Sequence, residues 1–134
     1  MHELPTVTAS TAGALILLQM VLQMMVSLRR GKHMQGFGDG GHKSLEIAIR
    51  RHGNLIENAA ILLIVLWLME IGGLSRSWLL AFAATAVMGR VLHAIGVTVS
   101  PDRPHPLRFL GAMSTVVLGL VGGAWLVWVT MPKI

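Results

Sequence analysis

Four apolar stretches, near residues 7–28, 54–71, 77–99 and 107–131, constrain this chain more than any other feature. Each is long enough to cross a hydrocarbon core about 30 Å thick as a helix. Spanning strands would be about 9–11 residues long with alternating polarity, and these stretches show neither property. Charged residues make up 13% of the 134 residues, against roughly a quarter in an ordinary soluble domain. The chain is therefore expected to be an all-α membrane protein: a four-transmembrane-helix bundle, with residues 1–134 forming one domain.

The formal charge of +5 raises the question of a nucleic-acid partner. The basic residues do not cover a soluble face, however; they flank the apolar runs, so no nucleic-acid partner is expected. Arg29, Arg30, Lys32, Lys43, Arg50 and Arg51 gather between the first two spans, and Arg103 and Arg108 lie between the last two. Basic loops stay on the cytoplasmic side, which predicts an N-out/C-out topology. That orientation brings Trp67, Trp78, Trp125 and Trp128 to the outer interface, where indole rings prefer to sit. The absence of cysteine excludes disulfides, thiolate metal sites and a thiol nucleophile of the protein's own. "MHELPTVTAS" lacks the basic n-region of a cleaved signal, so the first span is expected to stay as an anchor.

Local signals place the loops. Gln19 and Gln23, one turn apart, read as interhelical packing groups. "GFGDGG" between the first two spans lacks the GK[ST] ending and the preceding strand of a phosphate-binding loop, and reads as a flexible turn. Ser44 is a candidate N-cap for a second helix running to Glu70. "GGLSRS" makes a short turn, and "SPDRPHP" a proline-rich loop before the fourth span. Gly119, Gly122 and Gly123 are expected to permit close helix approach.

The chemistry concentrates on the second helix. At about 100° per residue, Glu46, Arg50, Asn54 and Glu57 fall on one stripe, bordered by Gly53 and widened by Arg51 and Asn58. His52 points nearly the opposite way. Arg90 and His93, one turn apart inside the third span, are the groups placed to meet this stripe. A charge near the bilayer centre costs at least about 2.5–3.5 kcal/mol, so such groups should face the protein interior or a wet cavity. A plainer reading makes Arg50 and Arg51 snorkelling anchors and Glu57–Arg90 a buried ion pair that fixes helix register. Forked guanidinium donors, an amide and a carboxylate together suit a small zwitterion with more than one carboxylate. A metal fits poorly, because His33, His42, His52, His93 and His105 show no ligand spacing, and no Ser/His/Asp arrangement is evident.

"RRHGNLIEN" on the second helix and "GRVLHAIG" on the third resemble the MAPEG family, the membrane-associated proteins in eicosanoid and glutathione metabolism, in its bacterial-type branch. The resemblance covers nearly the whole chain. It implies a homotrimer with glutathione as co-substrate, bound between subunits near the cytoplasmic face. Carried over by position, it makes Arg50, Asn54 and Glu57 glutathione contacts, with Arg90 and His93 lining the same cavity. It lets His52, and Arg29 or Arg30, reach toward a neighbouring subunit. Arg108 matches the family's thiol-activating arginine best, and Arg103 is the weaker match. The family's tyrosines are missing: Asn58 and Val97 stand at two of the matching sites.

The resemblance thus implies a membrane-bound glutathione transferase, with peroxidase activity as a further option, acting on lipophilic electrophiles at a bacterial inner membrane. A non-catalytic protein that binds a small anionic metabolite or scaffolds partners is the alternative. A small carrier ranks last, since the outer halves of the spans are almost wholly apolar.

Overall fold

The computed structural model describes residues 4–131, which form four helices: α1 (Thr6–His33), α2 (Lys43–Ile71), α3 (Arg76–Val99) and α4 (Pro106–Thr130). All four are long and apolar enough to cross a membrane. The broadest contacts join α3 to α4 and α1 to α2, while α2 also meets α3 and α4. The bundle therefore has two ends. One, here the polar end, carries the loops 34–42 and 100–105. The other carries the α2–α3 turn, the start of α1, the end of α4 and all four tryptophans.

At 29 residues, α2 is about 44 Å long, well beyond the hydrocarbon thickness. Its first turns thus extend past the apolar run and carry the charged groups. It begins at Lys43 with His42 as N-cap, two residues before the expected cap, and with no side-chain capping bond. Ser44 does not cap it. Its hydroxyl instead meets His33 Nε2 at 3.1 Å, and the His33 and His42 rings stack with centroids 4.0 Å apart. The loop between them is also ordered by Arg30, whose Nη1 donates to the carbonyls of Gln35, Gly36 and Gly38. Gly38, Gly40 and Gly41 all have positive φ, a conformation in which a side chain would be strained.

At the other end, Glu70 supplies what the start of α1 lacks. Its carboxylate accepts from the backbone N–H groups of Val7 and Thr8 at 2.9 and 2.8 Å and from the Thr8 hydroxyl at 2.7 Å. The first N–H groups of a helix have no partner within it, and they favour a nearby negative charge. Glu70 thus caps α1 from the end of α2 and ties the two helices together.

The interior is apolar for most of its depth. Leu62, Leu66, Met69, Leu79, Phe82 and Leu118 pack near the tryptophan end, followed by Leu15, Leu22, Leu55, Ala59 and Ala94. Val26, Leu45 and Ala48 close the polar end. Only one of the three expected glycines is a close-approach site. A methyl group on Gly122 would strike Val65, whereas Gly119 and Gly123 have nothing near them. The tight seam is between α3 and α4, at Gly89, Gly96 and Gly111. A methyl group on Gly111 would lie 2.6 Å from the His93 backbone nitrogen, and one on Gly96 would lie 2.8 Å from Arg108 Cα. Absent side chains let the two backbones meet here. This seam fixes where α4 begins relative to His93.

Candidate functional site

The stripe on α2 faces a cleft of about 450 Å³ at the polar end. Arg50, Gly53, Asn54 and Glu57 come from α2, His93 and Val97 from α3, and Arg108 from the first turn of α4. Lys43, Glu46 and Pro101 stand at one side of it. Helical periodicity brings the α2 groups into line, and the glycine seam brings His93 and Arg108 alongside. The result is a hollow with three cations (Lys43, Arg50 and Arg108), two carboxylates (Glu46 and Glu57) and an amide. A smaller hollow of about 250 Å³, lined by Gly38, Asp39, Glu46, Ile49 and Arg50, continues the polar surface toward the α1–α2 loop.

Arg90 sits behind this cleft and does not line it. It is 3% exposed. Its Nη1 donates to Asn54 Oδ1 at 2.7 Å, and its Nη2 donates to the Gly111 carbonyl and the Thr115 hydroxyl. Glu57 is not its partner. Both ion pairs found among the described residues belong to Lys43, with Glu46 at 3.1 Å and with Asp102 of the α3–α4 loop. A guanidinium can only donate, so Asn54 must turn its oxygen toward Arg90 and its NH2 group away from it. Arg90 therefore holds α2, α3 and α4 together and sets the orientation of the amide at the cleft.

The other candidates stand elsewhere. Arg51 is buried beside the cleft wall, donating to Thr98 Oγ1 at 3.0 Å and to Met25 Sδ at 3.3 Å. His52 is half-buried and outside the cleft lining. Arg30 holds the α1–α2 loop, as described above. Arg103 lies in the α3–α4 loop, where its carbonyl accepts from Ser100 Oγ, and it does not border the cleft. Asn58 donates to the Asn54 carbonyl of its own helix at 2.8 Å. The expectation from sequence did not include Lys43, Asp102 or Thr115. The Lys43–Glu46 spacing was available as a signal, whereas Asp102 and Thr115 meet their partners only through the fold.

No group of three His, Asp or Glu side chains among the described residues is arranged to hold a metal ion. At the opposite end, a hollow of about 600 Å³ is lined by Met69, Trp78, Phe82, Val121 and Trp125 among others and is almost wholly apolar.

Four apolar spans around a polar end-cleft define a polytopic helical membrane protein. Comparison with known proteins makes this more specific. The model of the MAPEG family matches residues 8–128. The chain is 32% identical over 91 residues to the inner membrane protein YecN of Escherichia coli K12, a match covering 67% of this chain and 69% of that one. The same values hold for YecN of E. coli O6:H1. No solved structure matches. The chain belongs to the MAPEG family and is an integral protein of the bacterial inner membrane.

Proposed function

We propose that the protein is a membrane-bound glutathione-dependent transferase that also reduces lipid hydroperoxides, acting as a homotrimer with N-out/C-out topology and its cleft toward the cytoplasm. One observation carries this reading: side chains from three helices, Arg50, Asn54, Glu57, His93 and Arg108, converge on one cleft of about 450 Å³. The basic loops support the topology. The broad lipid-accessible faces of α1 and α4 leave room for neighbouring subunits.

In this reading, Arg50 and the Asn54 NH2 group hold carboxylate and carbonyl oxygens of the tripeptide, and Glu57 holds its ammonium group. His93 borders the same space, with Arg90 orienting Asn54 from behind. His52 serves a neighbouring protomer's guest, and Arg30, whose Nη1 is committed to the loop carbonyls, offers that guest its remaining donors. Arg108 lies beside the sulfur. Its fixed positive charge favours thiolate over thiol, most strongly where water is excluded. Because the chain has no cysteine, the sulfur nucleophile comes from glutathione. In transfer, the thiolate forms a carbon–sulfur bond with the electrophile, whose leaving group departs with the bonding electrons. In peroxide reduction, two glutathione thiols become a disulfide as the O–O bond breaks, giving an alcohol and water.

Adding glutathione to purified protein should produce an ultraviolet thiolate band. Arg108→Ala should abolish it and slow conjugation of chlorodinitrobenzene about 10²–10³-fold. Wild-type protein that gives neither a band nor a conjugate would overturn the reading. The alternative, binding of a small anionic metabolite without turnover, draws support from the missing tyrosines and from Asn58, whose amide is engaged on its own helix. It predicts a saturable ligand with no product.

A further inference from the structure

Arg51 has no role in the cleft, yet it is buried to 9% exposure near the polar ends of three helices. Its acceptors are poor compensation for a full charge. One is the Thr98 hydroxyl, whose own proton goes to the Ala94 carbonyl at 2.7 Å; the other is the thioether of Met25. Its Nε has no partner. Arg29 lies one turn beyond Met25, the Arg51 acceptor, on the same face of α1; its charge therefore acts on Arg51, and its Nε is likewise buried and unpartnered.

The described carboxylates are all engaged or placed elsewhere. Glu46 and Asp102 bind Lys43, Asp39 accepts from the Gly41 backbone, Glu57 faces the cleft, and Glu70 caps α1 at the far end. One buried and one half-buried guanidinium thus stand without a carboxylate among the described residues, an arrangement that an anion between them would relieve. Paired planar forks suit the oxygens of a phosphate or carboxylate. The site lies near the last turns of α1 and α3 and in the third turn of α2, at the polar end of the bundle, where a span of this kind meets the lipid headgroups. Half-buried Arg29 is its open side.

We propose that Arg29 and Arg51 form an oxyanion site between α1, α2 and α3, filled by the phosphate of an anionic phospholipid. The site is separate from the cleft and does not depend on the transferase reading. The test is thermal unfolding of the full chain in uncharged detergent micelles with phosphatidylglycerol, phosphatidylcholine or inorganic phosphate added, with lipid retention followed by native mass spectrometry. Phosphatidylglycerol should raise the wild-type midpoint by about 5 °C and remain bound, with little effect from the other two. Arg29→Gln should at least halve this response, and Arg51→Gln should abolish it. Should Arg51→Gln fail to fold, Arg51→Lys, which keeps the charge without the fork, should weaken the response. Without lipid, Arg29→Gln should be no less stable than wild type, because it removes a repulsion.

Equal responses to phosphatidylglycerol and phosphatidylcholine, or an undiminished response in Arg29→Gln, would overturn the site. Equal stabilisation by millimolar phosphate would keep the oxyanion site but overturn lipid as its source. Loss of glutathione's effect in Arg29→Gln, with that of phosphatidylglycerol intact, would assign Arg29 to a neighbouring protomer's guest and also overturn the proposal.

Discussion

The two ends of the bundle hold hollows of comparable size and opposite character. The cleft at the polar end, about 450 Å³, is lined by charges and braced by hydrogen bonds that run between helices. The hollow at the tryptophan end, about 600 Å³, is lined by aromatic and aliphatic groups, and packing shapes it. In lipid, apolar contact discriminates weakly between helix partners, because lipid tails offer much the same contact. A polar end can therefore be specified by directed donors and acceptors, while an apolar end depends on shape and on a few tight positions. Glu70 is the exception that ties the second end: its carboxylate joins α2 to α1 where packing alone would leave helix N–H groups bare.

Substitutions can break or sharpen this contrast. The largest effect is expected at the seam. Gly111→Val would drive a side chain into His93 and the Gly89 carbonyl, destabilising the bundle by about 3 kcal/mol and removing glutathione binding. Gly119→Val, whose site is open, should match wild type when both variants are unfolded thermally in uncharged detergent micelles. Next comes Arg90→Met, which leaves Asn54 Oδ1 without its donor and unties α2 from α4, while the Gly111 carbonyl still accepts from the Ser114 hydroxyl at 2.8 Å. A loss of about 2 kcal/mol is expected, together with weaker glutathione binding in calorimetry. Were Arg90→Met as stable as wild type, packing would govern the polar end as well.

Glu70→Gln keeps the size of the cap but removes its charge and replaces one acceptor oxygen with an NH2 donor. About 1 kcal/mol should be lost, with glutathione binding unchanged, since the cap is at the far end from the cleft. The smallest effect is expected for Lys43→Ala. Its two ion pairs are solvent-exposed, so unfolding should not change measurably and any effect should appear only as a salt-sensitive change in ligand affinity.

Much of the site could be read before the fold was known. Spacings of four, four and three bring Glu46, Arg50, Asn54 and Glu57 into line on any α-helix, and they do line one cleft. Arg90 was recognisable as a group needing partners, but its partners were not. Opposite charge suggested Glu57, whereas the guanidinium meets neutral acceptors on α2 and α4. Arg51 looked like the edge of the stripe. Lying about 100° around from Arg50, it turns to Met25 and Thr98 instead. The glycines misled for a related reason: Gly119 and Gly123 resemble Gly122 in sequence, and only the rotation of α4 decides which of them faces a neighbour.

What this sequence determined alone is whatever depends on one helix at a time: four spans, their apolar lengths, and the angular position of each polar group around its own axis. The 3.6-residue period and the thickness of a bilayer suffice for that. Which atoms meet was left to the tertiary structure, because partner choice depends on the relative depth and rotation of two helices. Here those are set by the backbone contact at Gly89, Gly96 and Gly111, which places Arg108 against α3 and Arg90 behind Asn54.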